Sequence, residues 1–177
     1  MKRKHGAFCL LLLIMTSCAA ARTRRDPLND KETDELREAA QEPDKRFKLY
    51  IEYTQKRLVA VEDLRSPSSA AADRGEKIHD ALEDFDALVQ EISDNVDNYS
   101  REKQDFRKPL QKLIEADTDW QNRLQQFRDG IAKDPELSKV SRDFYFVLEG
   151  AVDDVKSLGE NARDTLTEQA EAKSKKK

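Results

Sequence analysis

Apolar residues in the middle of the chain recur at alternating steps of four and three: Ile78, Leu82, Phe85, Val89, Ile92, Val96 and Tyr99, then Phe106, Leu110, Leu113, Trp120, Leu124, Phe127 and Ile131. Such steps keep one face of a helix apolar, and a mean period of 3.5 is the pattern of coiled-coil packing. Lys103 and Asp117 occupy heptad positions and break the stripe. Pro109 lies inside it, and a proline in a helix interior removes a hydrogen bond and collides with the preceding turn. The stripe nevertheless keeps its phase. The spacing predicts either one long helix kinked near Pro109 or two helices meeting there, with Pro109 in the first turn of the second. A polar residue at a core heptad position can fix register at some cost in stability, which marks Asp117 as a candidate for that role.

An earlier helix is predicted from Asp44 to Leu64, started by Pro43-Asp44 and stopped by Ser66-Pro67-Ser68-Ser69. It is apolar on two sides, with Phe47, Ile51, Leu58 and Val61 on one and Tyr50, Tyr53 and Leu64 on another, so it needs more than one neighbour. Asp73 with Glu76 three residues on has the form of a capping box for the long stripe. The last helix is predicted from Asp134 as N-cap and Pro135 at its first position, along Leu137, Val140, Phe144, Val147, Leu148, Ala151, Val155, Leu158, Ala162 and Leu166. Basic residues in the tail 173–177 suit the negative end of a helix dipole.

These segments predict an all-α fold: an elongated antiparallel helical bundle of three to four helices with heptad packing over residues 43–172. A continuous helix over 73–131 would be about 90 Å long, with the flanking helices antiparallel to its two halves. The competing arrangement folds at Pro109 into a compact four-helix bundle. Residues 18–42 read as a tether with a short weak helix, the amphipathic stretch lying around Leu36.

The N-terminus has a different character. Lys2, Arg3 and Lys4 precede an apolar run from Ala7 to Met15, the order of a secretory signal peptide. That run is far shorter than the roughly 20 residues a membrane-spanning helix needs. Met15-Thr16-Ser17-Cys18 resembles the lipobox of bacterial lipoproteins, although Met15 stands where that family prefers leucine. The resemblance covers four residues and implies removal of residues 1–17, lipidation of Cys18 and attachment to a membrane on the periplasmic side. Cleavage after Ala19-Ala20-Ala21 is the alternative and would release a secreted or periplasmic protein.

Removing residues 1–17 takes three of the 32 basic residues and none of the 36 acidic ones, leaving a formal charge of −7. That excess disfavours nucleic acid as a partner. Charged residues make up 38% of the chain against 37% apolar, with only five Gly and five Pro, which suits long helices. Cys9 leaves with the signal and Cys18 is claimed by the lipid, so no disulfide framework is expected.

Candidate chemistry is sparse. Glu76-Lys77-Ile78-His79 has the Glu-x-x-His spacing used in di-iron bundles, but those need two such pairs and further glutamates, so no metal site and no cofactor are assigned. A nucleophile with its base and a Gly-rich phosphate loop are both missing, and no catalytic residue is assigned. The triplet Phe144-Tyr145-Phe146 spans roughly 200° of a helix surface, more than one neighbour usually buries. Tyr145 and Phe146 are therefore the candidate interface, toward a protein partner or a second copy. The expected function is that of a non-enzymatic envelope lipoprotein acting as helical spacer, scaffold or adaptor; a periplasmic holdase chaperone and a metal-binding bundle are the alternatives.

Overall fold

The computed structural model describes residues 25–65 and 73–175. All regular structure among them is helical: α1 (Asp30–Glu38), α2 (Pro43–Asp63), α3 (Arg74–Arg101), α4 (Arg107–Ile131), α5 (Pro135–Val140), a 3-10 turn at Ser141–Asp143, and α6 (Tyr145–Ser174). Four long helices form the bundle, and α1 and α5 are short additions.

Side-chain pairs fix the directions. Near the start of α2, the Phe47 ring packs 5.8 Å from Tyr99 and 5.9 Å from Phe106. At the other end of α2, Glu62 accepts from Arg123 Nε at 2.8 Å. Hence α2 runs antiparallel to α3 and parallel to α4. Gln90 donates to Asp154 at 2.9 Å and Asn161 to Asp97 at 2.9 Å, so α6 runs parallel to α3. Arg163 meets Asp117 at 3.0 Å and Arg128 meets Glu149 at 3.5 Å, which sets α6 antiparallel to α4. Both α2 and α6 pack between α3 and α4, which face each other across the centre with the Phe85 and Trp120 rings 6.0 Å apart.

The turn between α3 and α4 explains how the heptad phase survives a reversal of direction. Lys103 takes the left-handed conformation, φ 56°, immediately after Glu102, the C-cap of α3. The Gln104 amide donates to the Tyr99 carbonyl at 3.1 Å and the Lys103 amide to the Ser100 carbonyl at 3.0 Å. This is a Schellman closure with lysine where glycine is usual. Gln169 of α6 completes the corner by donating to Gln104 O at 2.9 Å and accepting from Phe106 N at 3.3 Å. Arg107 holds Asp105 by two contacts of 2.8 and 2.6 Å, and that hydrogen-bonded guanidinium pulls the Asp105 carboxyl down to about 2. Pro109 then sits in the first turn of α4, where its missing N–H costs nothing.

All fourteen stripe residues from Ile78 to Ile131 are buried. The two-sided α2 also finds two neighbours: Phe47, Leu58 and Val61 face the bundle, and α1 packs on the helix, with Tyr53 Oη donating to Glu35. Burial and that carboxylate together raise the Tyr53 hydroxyl's pKa well above its ordinary value.

Several sequence-based expectations change. Residues 73–131 do not form one long rod, because the Lys103 corner folds α4 back along α3. Six helices replace the three or four expected. A short helix is present within residues 18–42, as expected, but it packs on the bundle: Leu36 of α1 is buried in the core. Its start is set by Asn29-x-x-Glu32, a true capping box: the Glu32 amide donates to Asn29 Oδ1 at 3.0 Å and the Asn29 amide to Glu32 Oε2 at 3.2 Å. The box expected at Asp73 and Glu76 is not formed. Asp73 makes no side-chain cap and instead pairs with Lys77 at 3.0 Å, because its backbone, φ −100° and ψ 14°, is not in the extended conformation a capping side chain needs. Asp134 does cap its helix, accepting from the Glu136 and Leu137 amides, but that helix ends at Val140 and a 3-10 turn separates it from α6.

Candidate functional site

Cys18, the lipidation candidate, lies outside the described residues, as do the signal segment and the serine-rich turn at 66–69. The chain joins the bundle on its α2/α3 flank. Arg25 forms an ion pair with Asp84 in the middle of α3, and Arg57 of α2 donates to the Pro27 carbonyl at 3.0 and 2.6 Å and pairs with Glu32 at 2.5 Å. Among the described residues no helix is long and apolar enough to cross a membrane.

The aromatic triplet divides sharply. Phe144, the last residue before α6, is buried against Phe127 with ring centroids 6.0 Å apart. Tyr145 is 45% exposed and Phe146 85% exposed, their rings edge to face at 6.5 Å. Every other tryptophan, tyrosine and phenylalanine among the described residues is buried. At 100° per residue, placing Phe144 inward turns the next two outward.

Phe146 heads a strip of α6 that continues through Gly150, Asp153, Ser157, Glu160 and Asp164, at steps of four and three and all exposed. No basic residue interrupts it. Across the seam, α3 presents Asp94 and Asp97, and Asp97, Arg101, Asn161, Asp164 and Glu168 line a shallow depression there, with Arg101 its one basic residue. The seam is bridged by the amide groups of Gln90 and Asn161, and no ion pair among the described residues joins α3 to α6. Such pairs do join α2 to α4 and α4 to α6.

Inside the bundle, Asp117 has no exposed side-chain surface. Gln121 donates to its two carboxylate oxygens at 3.1 and 3.0 Å, and Arg163 reaches Oδ2 at 3.0 Å. Burial raises the Asp117 carboxyl's pKa, against the opposing pull of those two donors. The Arg163 side chain is about half exposed, so the pair connects the core to solvent.

On α3, His79 Nδ1 lies 3.5 Å from Asp80 Oδ1 and 3.8 Å from Glu83 Oε2. These three are the one grouping of potential metal ligands among the described residues, and Glu76, the partner suggested by spacing, is not part of it. All three come from about one turn of a single helix. No second helix adds a ligand, so the grouping does not build the inward-facing centre that a di-iron bundle places between helices.

No family profile, no curated protein and no solved structure matches this chain.

Proposed function

We propose that this chain is a non-enzymatic lipoprotein of the bacterial cell envelope, held to a membrane by lipidated Cys18, whose helical body works as a scaffold or adaptor for other envelope components. The observation that carries the adaptor reading is Phe146, an 85% exposed aromatic on a chain that buries its other phenylalanines throughout the described residues. Aromatic side chains supply much of the energy of protein interfaces, and one held on a rigid helix loses little entropy on docking.

Anchor and body fit together under this reading. Seven residue steps separate Cys18 from Arg25, a reach of roughly 25 Å at full extension. The acyl chains would therefore keep the α2/α3 flank near the lipid surface, since each buried CH₂ contributes about 0.8 kcal/mol to anchoring. The same reading takes the four-and-three spacing of α3 and α4 as knobs-into-holes packing, which makes the body a stiff platform.

Fractionation of a secreting bacterium that expresses the full chain or Cys18→Ala tests the anchor. The parent chain is expected in the membrane fraction and the variant in the soluble envelope fraction. A Cys18→Ala chain that stays with membranes overturns the lipid attachment.

A further inference from the structure

We infer that Phe146 and the acidic α3/α6 seam behind it form one docking surface for a basic amphipathic helix of a partner protein. The inference rests on the adaptor reading and adds the place and the chemistry of the partner. Phe146 supplies an apolar knob, which Tyr145 supports edge-on. Behind it, Asp153, Glu160 and Asp164 follow on the same exposed face, with Asp94 and Asp97 on the neighbouring helix.

Charge complementarity selects the occupant. From Phe146 to Asp164 is about 27 Å along the axis, the length of a helix of about 18 residues. Carboxylates on parallel α3 and α6 repel one another, and the amide bridges from Gln90 and Asn161, with Arg101 beside Asp97, relieve that repulsion only locally. Lysines and arginines on an incoming helix would neutralise both rows at once, while a leucine or phenylalanine at its end covers Phe146. A bilayer suits the surface poorly: the aromatic pair could enter the interface, but the carboxylates beside it repel anionic headgroups. A second copy of this chain suits it no better, because it would bring its own acidic seam.

The probe is a fluorescein-labelled synthetic helix of about 18 residues, with leucine on one face and lysine on the other. Its binding to the full-length chain is read by fluorescence anisotropy. Phe146→Ser and the pair Asp153→Lys, Asp164→Lys are each expected to weaken binding at least 10-fold, about 1.4 kcal/mol. Glu115→Lys, an exposed single charge reversal on α4 and so half the charge change of that pair, should leave it within about twofold, since opposite-face charges are screened beyond a Debye length of about 8 Å. All these positions are exposed, so thermal melts should match the parent. A glutamate version of the peptide should not bind. Equal weakening by Glu115→Lys, or no loss with Phe146→Ser, overturns the inference. So does binding of phosphatidylcholine/phosphatidylglycerol vesicles that Phe146→Ser abolishes, or a dimer of this chain that the same change dissociates. Peptide affinity does not depend on Cys18, and fractionation does not depend on Phe146, so failure of one leaves the other readable.

Discussion

Gly159 leaves the space that the Asp117 carboxylate occupies: a Cβ at residue 159 would lie 2.5 Å from Asp117 Cγ and 2.7 Å from Arg163 Nη1. A glycine in the middle of α6 is therefore required by a neighbour on α4. Alanine would gain about 1 kcal/mol of helix propensity, yet overpacking a filled core costs about 1–3 kcal/mol. Overpacking wins, since Asp117 can retreat only by giving up Gln121 and Arg163. Gly159→Ala should lower the melting temperature, and Asp117→Ala in the same chain should remove the penalty. An additive double-mutant cycle would show that the two residues do not compete for space.

Asp117 itself should cost stability at neutral pH. Burial raises its carboxyl's pKa above the ordinary 3.8 that it regains on unfolding. As pH rises from about 3.8 through the folded value, the folded state surrenders a proton that the unfolded chain has already lost, so stability falls across that window. Replacing a buried charge with a well-packed apolar group is often neutral or stabilising by about 1–4 kcal/mol, and Arg163 remains solvated without its partner. Asp117→Leu should raise the melting temperature at pH 7 and lose that advantage toward pH 4. A lower melting temperature at pH 7 would mean that the Gln121 and Arg163 bonds outweigh desolvation.

Lys103 marks the corner that makes the bundle compact. A non-glycine residue in the left-handed region costs roughly 1 kcal/mol. Lys103→Gly should therefore raise the melting temperature by about 2–4 °C in a chain of this size. A fall would show that the loss of backbone freedom on folding outweighs the strain relieved.

The single tryptophan reports on the core directly. Trp120 is fully buried, and its Nε1 donates to Gln55 Oε1 at 3.0 Å. Its emission should be blue-shifted and shielded from acrylamide until the bundle melts. Gln55→Leu should lower stability by about 1–3 kcal/mol, because the indole N–H loses its partner. Unchanged stability would indicate that water replaces the glutamine amide.

Much of this architecture is legible in the residues, and what is not has particular causes. The apolar stripe identifies the buried face of α3 and α4 residue by residue, because burial of one helix face is a periodic property. The reversal at Lys103 escapes that reading: a heptad phase records which face is apolar and says nothing of direction, and lysine is not the residue expected at a left-handed closure. The Asn29 and Glu32 box was present to be read, but little apolar sequence follows it, so α1 gives a weak signal until Leu36 is seen in the core. Pairing Asp117 with Gly159 needs tertiary structure, since the two lie on different helices with no local pattern linking them. The outward turn of Tyr145 and Phe146 follows from placing Phe144 inward, a choice made by contact with Phe127 and invisible in the triplet alone.

Cys18 decides whether the helical body is a membrane-held platform or a free acidic bundle. Intact-mass and peptide analysis of the chain recovered from an exporting bacterium tests this most directly. The expected result is a mature N-terminus at Cys18 carrying a diacylglyceryl thioether and an acylated amino group. A mature chain beginning at Arg22 with no acyl mass, or one that keeps residues 1–17, would contradict it.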